Sequence, residues 1–243
     1  MSEKIKIVSY NIHKGKSFFT RQHVLTELKN VIHTFDADLV FLQEIRDFHK
    51  SDFKKYKTQQ LDFLSDEKYN LTYGKNCIYT NGHHGNGILS KYPIVSSCNY
   101  NLTVSQLEKR GVLYNELNIG GQTVHIFCTH LNLRKKERFL QVKLLEEIIN
   151  DKVKGSEDPV IIAGDFNDFD QSIERHFSLN DYASIKNTKT FPNIYPMFCL
   201  DKIFTKNVEI QESYVYRGKE LLKLSDHLPL VAQLSLGQGL SQE

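Results

Sequence analysis

The chain has no tryptophan, only five prolines and only four cysteines among its 243 residues. Cys77, Cys98, Cys128 and Cys199 are widely spaced and form no CxxC pair. That spacing argues against a zinc cluster or a disulfide framework and predicts free thiols in a reducing compartment. No Pro/Ser-rich linker, repeat or low-complexity stretch divides the sequence, so one α/β domain is expected over residues 1–237, with a flexible tail at 238–243. The start, MSEKIKIVSYN, lacks an apolar h-region, and no later run approaches the roughly 18 apolar residues that a membrane span needs. The expectation is a cytoplasmic monomer without stable membrane insertion. A surplus of one charge is missing too: 31 Lys and Arg stand against 29 Asp and Glu, a formal charge of +2. The strongly basic field of a protein that grips nucleic acid by charge alone is therefore absent, although a local basic patch is compatible with this balance. An anionic substrate held through metal ions needs less global charge.

What the sequence does contain is apolar material, 40% of the chain, and aromatic rings in the form of 15 Phe and 12 Tyr. Short β-rich runs alternate with amphipathic stretches. Strands are expected at residues 4–10, 38–45, 70–73, 87–90, 94–102, 112–119, 123–129, 159–163, 201–205, 210–216 and 229–236. Gly120-Gly121 reads as a two-residue hairpin turn. Helical spacing appears at residues 20–35, with Thr20 as the N-cap, at 53–66, at 135–150, and in a short helix from Gln171. Leu39 to Leu42 is too continuously apolar for a sheet open to water on one face. Two packed sheets with helices on their outer faces match this order.

Polar residues recur where these strands end. Asn11 and His13 follow the first strand, Gln43-Glu44 ends the second, and His130 and Asn132 end another. Asp165 and Asn167 follow the short buried run, and Asp226-His227 precede the last strand. Five such endings can converge in one cleft. Oxygen ligands from Asn, Asp and Glu suit a hard cation such as Mg2+, with Mn2+ as a substitute. Such an ion polarises phosphoryl oxygens, and a histidine beside an acid can move protons near neutral pH. No GxSxG elbow and no P-loop occurs. The kit is that of a phosphate-ester hydrolase. GDFND can also build an Asx-type turn, but a turn can present a ligand as well.

These motifs resemble the endonuclease/exonuclease/phosphatase superfamily, which includes deoxyribonucleases, repair exonucleases, neutral sphingomyelinases and inositol polyphosphate phosphatases. The matches run in order from SYNIH at 9–13 through LQE at 42–44, GNGILSKYPI at 85–94, CTHLNL at 128–133, AGDFND at 163–168 and LDKIF at 200–204 to SDHLPL at 225–230. The opening YNIHKG is similar to that of a bacterial subgroup of the superfamily. The resemblance implies a four-layer α/β/β/α sandwich of two mixed, mostly antiparallel sheets.

It also implies roles. Glu44 is the principal metal ligand with Asn11 beside it, and Asp226 contributes to a metal position. Asp165 orients or activates the attacking water, and Asn167 holds the phosphate or the metal shell. His227 pairs with Asp201, and His130 touches phosphate or assists the leaving group. Where some repair nucleases carry an acid two positions after the first-strand Asn, this chain has His13, so one tight metal and at most a labile second are expected. His13, His84, Asn86, Asn132 and Arg134 are expected on the substrate rim, with His83, His84 and Asn86 in a loop before the strand at Gly87. The expected reaction is in-line attack of water on a phosphodiester, with DNA or RNA as possible substrates. Alternatives are a phosphomonoesterase on small metabolites, a sphingomyelinase-like lipid enzyme and, least favoured, a noncatalytic scaffold.

Overall fold

A computed structural model describes residues 3–237. The tail expected at 238–243 lies outside the described residues. Among the described residues, twelve strands and five α-helices are arranged in the order β1 (Glu3–Asn11), α1 (Leu25–Thr34), β2 (Leu39–His49), α2 (Lys50–Tyr56), α3 (Gln60–Ser65), β3 (Asn70–Tyr79), β4 (Gly82–Ser90), β5 (Ile94–Asn101), β6 (Gly111–Ile119), β7 (Gln122–His130), α4 (Lys135–Val153), β8 (Val160–Asp165), α5 (Ser172–Leu179), β9 (Ala183–Ser184), β10 (Asp201–Lys206), β11 (Val208–Val215) and β12 (Leu230–Leu236). One six-stranded sheet runs β11-β12-β1-β2-β4-β3 and the other β5-β6-β7-β8-β10-β9. Each has a single parallel pair at its centre, β1 with β2 and β7 with β8, and antiparallel neighbours elsewhere. The parallel pairs are the two places where a helix, α1 or α4, carries the chain back across the sheet, as parallel pairing requires.

Alternation along each strand divides the core into layers. In β1, Ile5 and Ile7 point between the sheets, where they meet Phe41, Ile126, Ile161, Ile203 and Leu234. Val8, Tyr10 and Ile12 point the other way, under Leu25, Leu28 and Ile32 of α1. The outer face of the second sheet buries Phe127, Ile162 and Phe204 against Val142, Leu145 and Ile149 of α4 and Ile173 and Phe177 of α5. The four-layer sandwich follows from this two-sided burial. Phe204 packs edge-on to Phe166 at 5.1 Å and stacks on Phe177 at 4.5 Å. Phe204→Ala is expected to lower the unfolding free energy by about 3–5 kcal/mol. Urea titration of both proteins checks this, and a loss below about 1 kcal/mol would show that the layer repacks.

Three local expectations are corrected. Thr20 does not cap α1, which begins five residues later behind Val24. The Thr20 N–H donates to Ser17 Oγ at 3.4 Å and its own hydroxyl accepts from Gln22 N at 3.4 Å, so it serves a turn instead. The helix expected over 53–66 is two short helices, because Lys57 adopts a left-handed φ of +61° that ends the first. His83, His84 and Asn86 lie within β4, paired to β3, and not in a loop. Thr80-Asn81 form the two-residue turn, and Gly82 is already paired to Tyr79.

Candidate active site

The inward-facing stripe of each central strand turns from apolar to polar at one end of the sandwich. After Ile5 and Ile7 come Ser9 and Asn11; after Phe41 comes Gln43; after Ile126 and Cys128 comes His130; after Ile161 and Ala163 comes Asp165. Strand register then sets the neighbours. Asn11 lies opposite Gln43, His130 opposite Asp165, and Asp165 opposite Asp201. The close β7–β8 approach requires Gly164, whose φ is +155° and where an added Cβ would lie 1.9 Å from Thr129 O. The same residue that makes the GDFN motif glycine-specific therefore lets His130 stand beside Asp165.

Asp165 is the centre of the cluster. Its Oδ2 lies 3.1 Å from Asn11 Nδ2, 3.4 Å from His130 Nε2 and 3.6 Å from His227 Nε2. Its Oδ1 accepts the Asn167 N–H at 3.0 Å, closing a turn in which Asn167 takes φ +49°. Asn167 Nδ2 donates to Leu131 O at 2.9 Å and lies 3.3 Å from His130 Nε2. On the far side, His227 Nδ1 lies 2.8 Å from Asp201 Oδ2, which also accepts from the Thr190 hydroxyl. Phe191 packs on the His227 ring at 4.9 Å between centroids. Ser225 Oγ donates to Asn11 O at 2.6 Å and accepts the His227 N–H at 3.2 Å, tying the last loop to the first strand.

The two buried histidines are driven in opposite directions. Burial works against charge on His227, but Asp201 and Asp165 overcome it and raise the imidazole well above its ordinary value. Burial, then Arg110 and His227, hold His130 far below its own. Geometry gives the same reason: Arg110 Nη1 lies 3.2 Å from His130 Nδ1, and a guanidinium can only donate. The Arg110 contact thus sets His130 as a neutral ring with Nδ1 as acceptor, while Asp201 and Asp165 favour the protonated form of His227. Burial raises the Asp165 carboxyl, against the opposing effect of His227. For Asp226, burial is outweighed by His13 and His227, which hold it below the usual carboxylate range.

Glu44 follows Gln43, the partner of Asn11, and sits at an irregularity of β2. The pairing of β2 with β4 slips between Leu42 and Ile45, and Glu44 adopts φ +56° at this bulge. A left-handed non-glycine residue costs roughly 1–2 kcal/mol, and bulges re-aim side chains beside functional sites. Glu44 Oε2 is buried without a hydrogen bond, with the Lys14 ammonium 3.5 Å away. His13 Nδ1 similarly stands 3.3 Å from Asp226 Oδ1. One Asp201 oxygen, Oδ1, is also buried and unpartnered. Ligand atoms of Asp165, Asp201 and His227 lie within 4.8 Å of one another, a group able to hold a divalent cation.

The expected rim residues are placed differently. His84 is half-buried and held down to about 4 by burial and by Lys14, with Glu44 opposing. Asn86 Nδ2 donates to Gly111 O at 3.0 Å and Cys128 O at 3.2 Å, so this amide joins the two sheets. Asn132 gives its amide to Glu137 at 2.7 Å and accepts from Gln141 at 3.1 Å, which holds the first turn of α4. Arg134 is exposed at the start of the same helix, 3.7 Å from Glu137. Asp168, next to the central motif, accepts the Ile173 and Glu174 N–H groups at 3.1 and 3.0 Å and caps α5. Arg110 and Thr190 are contacts that strand-end reasoning misses. Arg110 precedes β6, and because β6 is antiparallel to β7, its beginning lies at the same end of the sheet as His130.

A two-sheet sandwich with a carboxylate, amide and histidine cluster at one end of its interior defines a metal-dependent phosphoester hydrolase. Residues 8–227 match the model of the Endonuclease/Exonuclease/phosphatase family, and the chain belongs to that family. It is 35% identical to the uncharacterized protein YbhP of Escherichia coli over 245 residues, covering 95% of this chain and 96% of that protein. Among solved structures it is similar to a mannosyl-6-phosphatase of Bacteroides thetaiotaomicron, with TM-score 0.74, 18% identity, and coverage of 95% of this chain and 99% of the other. It is also similar to D. rerio TDP2 complexed with a single-strand DNA product, with TM-score 0.71, 19% identity and coverage of 96% and 99%.

Proposed function

We propose that residues 1–237 act as one hydrolase domain that cleaves phosphodiesters by in-line attack of water. The observation that carries this reading is the convergence of His227 and His130 on one Asp165 oxygen at 3.6 and 3.4 Å, the first backed by the Asp201 carboxylate and the second by the Arg110 guanidinium. A diester needs both functions: charge stabilisation on the non-bridging oxygens and help to an alkoxide leaving group. A cation fits the far side, because Glu44 Oε2 is a buried oxygen without a hydrogen bond and its companions Asn11 and Asp226 are likewise oxygen donors. Glu44, Asn11 and Asp226 would hold Mg2+ or Mn2+. His227 is less suited as a ligand, since Asp201 engages one ring nitrogen and both carboxylates favour the protonated ring. A bound cation supplies Lewis-acid polarisation of the phosphoryl oxygen and offsets its charge.

The chain's own groups do the rest. Asp165 orients the attacking water and receives its proton. His227, kept charged and oriented by Asp201, donates to a phosphate oxygen as negative charge grows there. Asn11 and Asn167 supply further N–H donors from fixed backbone positions. His130, with its Nδ1 facing Arg110, presents Nε2–H towards the leaving oxygen. Preorganised donors of this kind are each worth on the order of 3 kcal/mol in barrier.

Glu44→Gln is expected to weaken Mn2+ affinity at least about tenfold while leaving the fold intact, because it removes an anionic oxygen that has no hydrogen bond to lose. Calorimetric titration with Mn2+ checks it, and unchanged affinity would move the cation elsewhere. The function itself is tested by a panel with Mg2+ or Mn2+ containing single- and double-stranded DNA, RNA, bis(p-nitrophenyl) phosphate, p-nitrophenyl phosphate, mannose 6-phosphate and phospholipid vesicles. Turnover confined to monoesters would reject the diesterase reading. A lipid diester is a second reading, favoured by exposed Ile194, Tyr195 and Met197 on the loop that places Phe191 on His227. No helix among the described residues is long and apolar enough to cross a membrane.

A further inference from the structure

The edge strands of the two sheets, β3 and β5, run side by side, and a cavity of about 340 Å³ opens between them. Its wall is made by Lys75, Asn76, Asn99, Asn101, Thr103, Lys109 and Arg110, without one apolar side chain. Asn99 Nδ2 bridges the strands by donating to Lys75 O at 3.2 Å and Asn76 Oδ1 at 3.0 Å. Gly74 permits this approach, because a Cβ there would lie 2.2 Å from Asn99 Oδ1. Resting the amide on bare backbone leaves Asn99 Oδ1 buried without a donor. Arg110 is the second incomplete group. Its Nη1 contacts His130 and its Nη2 donates to Glu108 at 2.8 Å, while its Nε–H is buried without an acceptor.

A near-neutral chain thus gathers three cations on one cavity wall. Glu108 is the one carboxylate that an ion pair brings to them; Lys75 and Lys109 have no carboxylate within 4.0 Å among the described residues. A buried donor and a buried acceptor left unpaired each cost roughly 1–3 kcal/mol, and both become satisfied if the cavity receives an anion carried on a hydroxylated group. The cavity also communicates with the catalytic cluster through a single residue: Arg110 lines it and touches His130, which stands 3.4 Å from Asp165.

We propose that this cavity is a second phosphate subsite, which selects substrates carrying another phosphate on a sugar unit beside the scissile diester. Lys75 and Lys109 bind the second phosphate as point charges, Arg110 Nε–H donates to it, and Asn99 Oδ1 accepts a hydroxyl of the sugar. The volume suits this division of labour, since 340 Å³ exceeds what a bare oxyanion fills and lies at the small end of ligand pockets. The subsite also separates charge sensibly. The catalytic centre, with Glu44, Asp165, Asp201 and Asp226, repels phosphate until a cation is bound, whereas the cavity attracts phosphate without one.

The selection rests on the diesterase reading, and two measurements keep the failures apart. The first is calorimetric titration with inorganic phosphate in EDTA, where no cation offsets the four carboxylates of the catalytic centre. Wild type and Asp165→Asn should both bind phosphate, and Lys75→Ala/Lys109→Ala should bind it at least about tenfold more weakly, as loss of charged hydrogen bonds predicts. No binding by wild type, or equal binding by the double variant, overturns the subsite whatever the enzyme's activity. The second compares deoxythymidine 5′-(p-nitrophenyl phosphate) with the same compound bearing a 3′-phosphate, with Mn2+ present. The second phosphate should lower KM about tenfold in wild type, and the double variant should lose that preference. Equal KM values in wild type overturn the selection. If phosphate binds in EDTA and neither ester is cleaved, the subsite stands and the diesterase reading fails. Circular dichroism of the double variant separates a lost contact from a lost fold.

Discussion

Asp165→Ala is expected to lower kcat by about a thousandfold or more, with KM changing little by comparison. In the proposed reaction this carboxylate holds the attacking water and takes its proton, a contribution that general-base removal usually values at roughly 10²–10⁴. It also gathers Asn11, His130 and His227 within 3.6 Å of one oxygen, so its loss disperses donors that phosphate needs converged. Effects of residues acting as a unit do not add, and the Asp165→Ala/His227→Ala pair should therefore be scarcely slower than the worse single variant. Steady-state kinetics on the best substrate of the panel checks both statements. A variant retaining more than a tenth of wild-type kcat would place the chemistry at another part of the cleft. The folded state should tolerate the change, because burial opposes charge on this carboxyl.

Asp201→Asn should be nearly as damaging, about a thousandfold in kcat, although Asp201 touches no reacting atom. It is a positioning residue: its Oδ2, 2.8 Å from His227 Nδ1, fixes the ring and keeps it charged. A buried carboxylate behind a catalytic histidine typically carries effects of this size. A readout specific to this role is the stability of the metal-free protein against pH. The His227 imidazole is raised to about 10 in the folded state, against burial, by Asp201 and Asp165. A raised cationic group contributes stability that is complete below its unfolded value of roughly 6.5 and is lost as pH rises through the folded value. Wild type should therefore lose stability between about pH 6.5 and 10, and Asp201→Asn should show a flatter profile over that window. Equal slopes in urea titrations across this range would mean that the pair is not a charged one.

Much of this site is legible in the amino-acid order because its ligands follow directly on apolar strands. Ile161 and Ala163 announce a buried strand, and alternation then sends Asp165 to the same side as both. The same parity reads correctly for Asn11 after Ile7 and for His130 after Cys128. Parity fails at Glu44. Strict alternation would turn it away from the Gln43 side, and only the bulge opposite Asn86 brings it back. No propensity at Gln43-Glu44 announces a left-handed glutamate. Its place at the end of an apolar run and the family motif single that residue out, but neither announces its backbone conformation.

The rim shows the opposite limit. Asn86 and Asn132 lie within the motifs GNGILSKYPI and CTHLNL, yet their amides are occupied by Gly111 and Cys128 carbonyls in one case and by Glu137 and Gln141 in the other. A polar residue near a site has to satisfy its own buried hydrogen bonds first, and for Asn86 the partners lie 25 and 42 residues away. Arg110 and Thr190 are the converse, absent from every motif and brought to His130 and Asp201 by antiparallel pairing and by a loop crossing.

The order of amino acids determined most strands and helices, the two-sheet sandwich and the gathering of carboxylates and histidines at one end of it, because periodic burial and strand-end polarity are local properties. The tertiary structure decided which histidine is charged, since that depends on carboxylates and a guanidinium between 20 and 62 residues away in the chain. It also decided that a near-neutral chain gathers Lys75, Lys109 and Arg110 on one cavity beside the cluster, because edge strands from different sheets meet only once both sheets have packed.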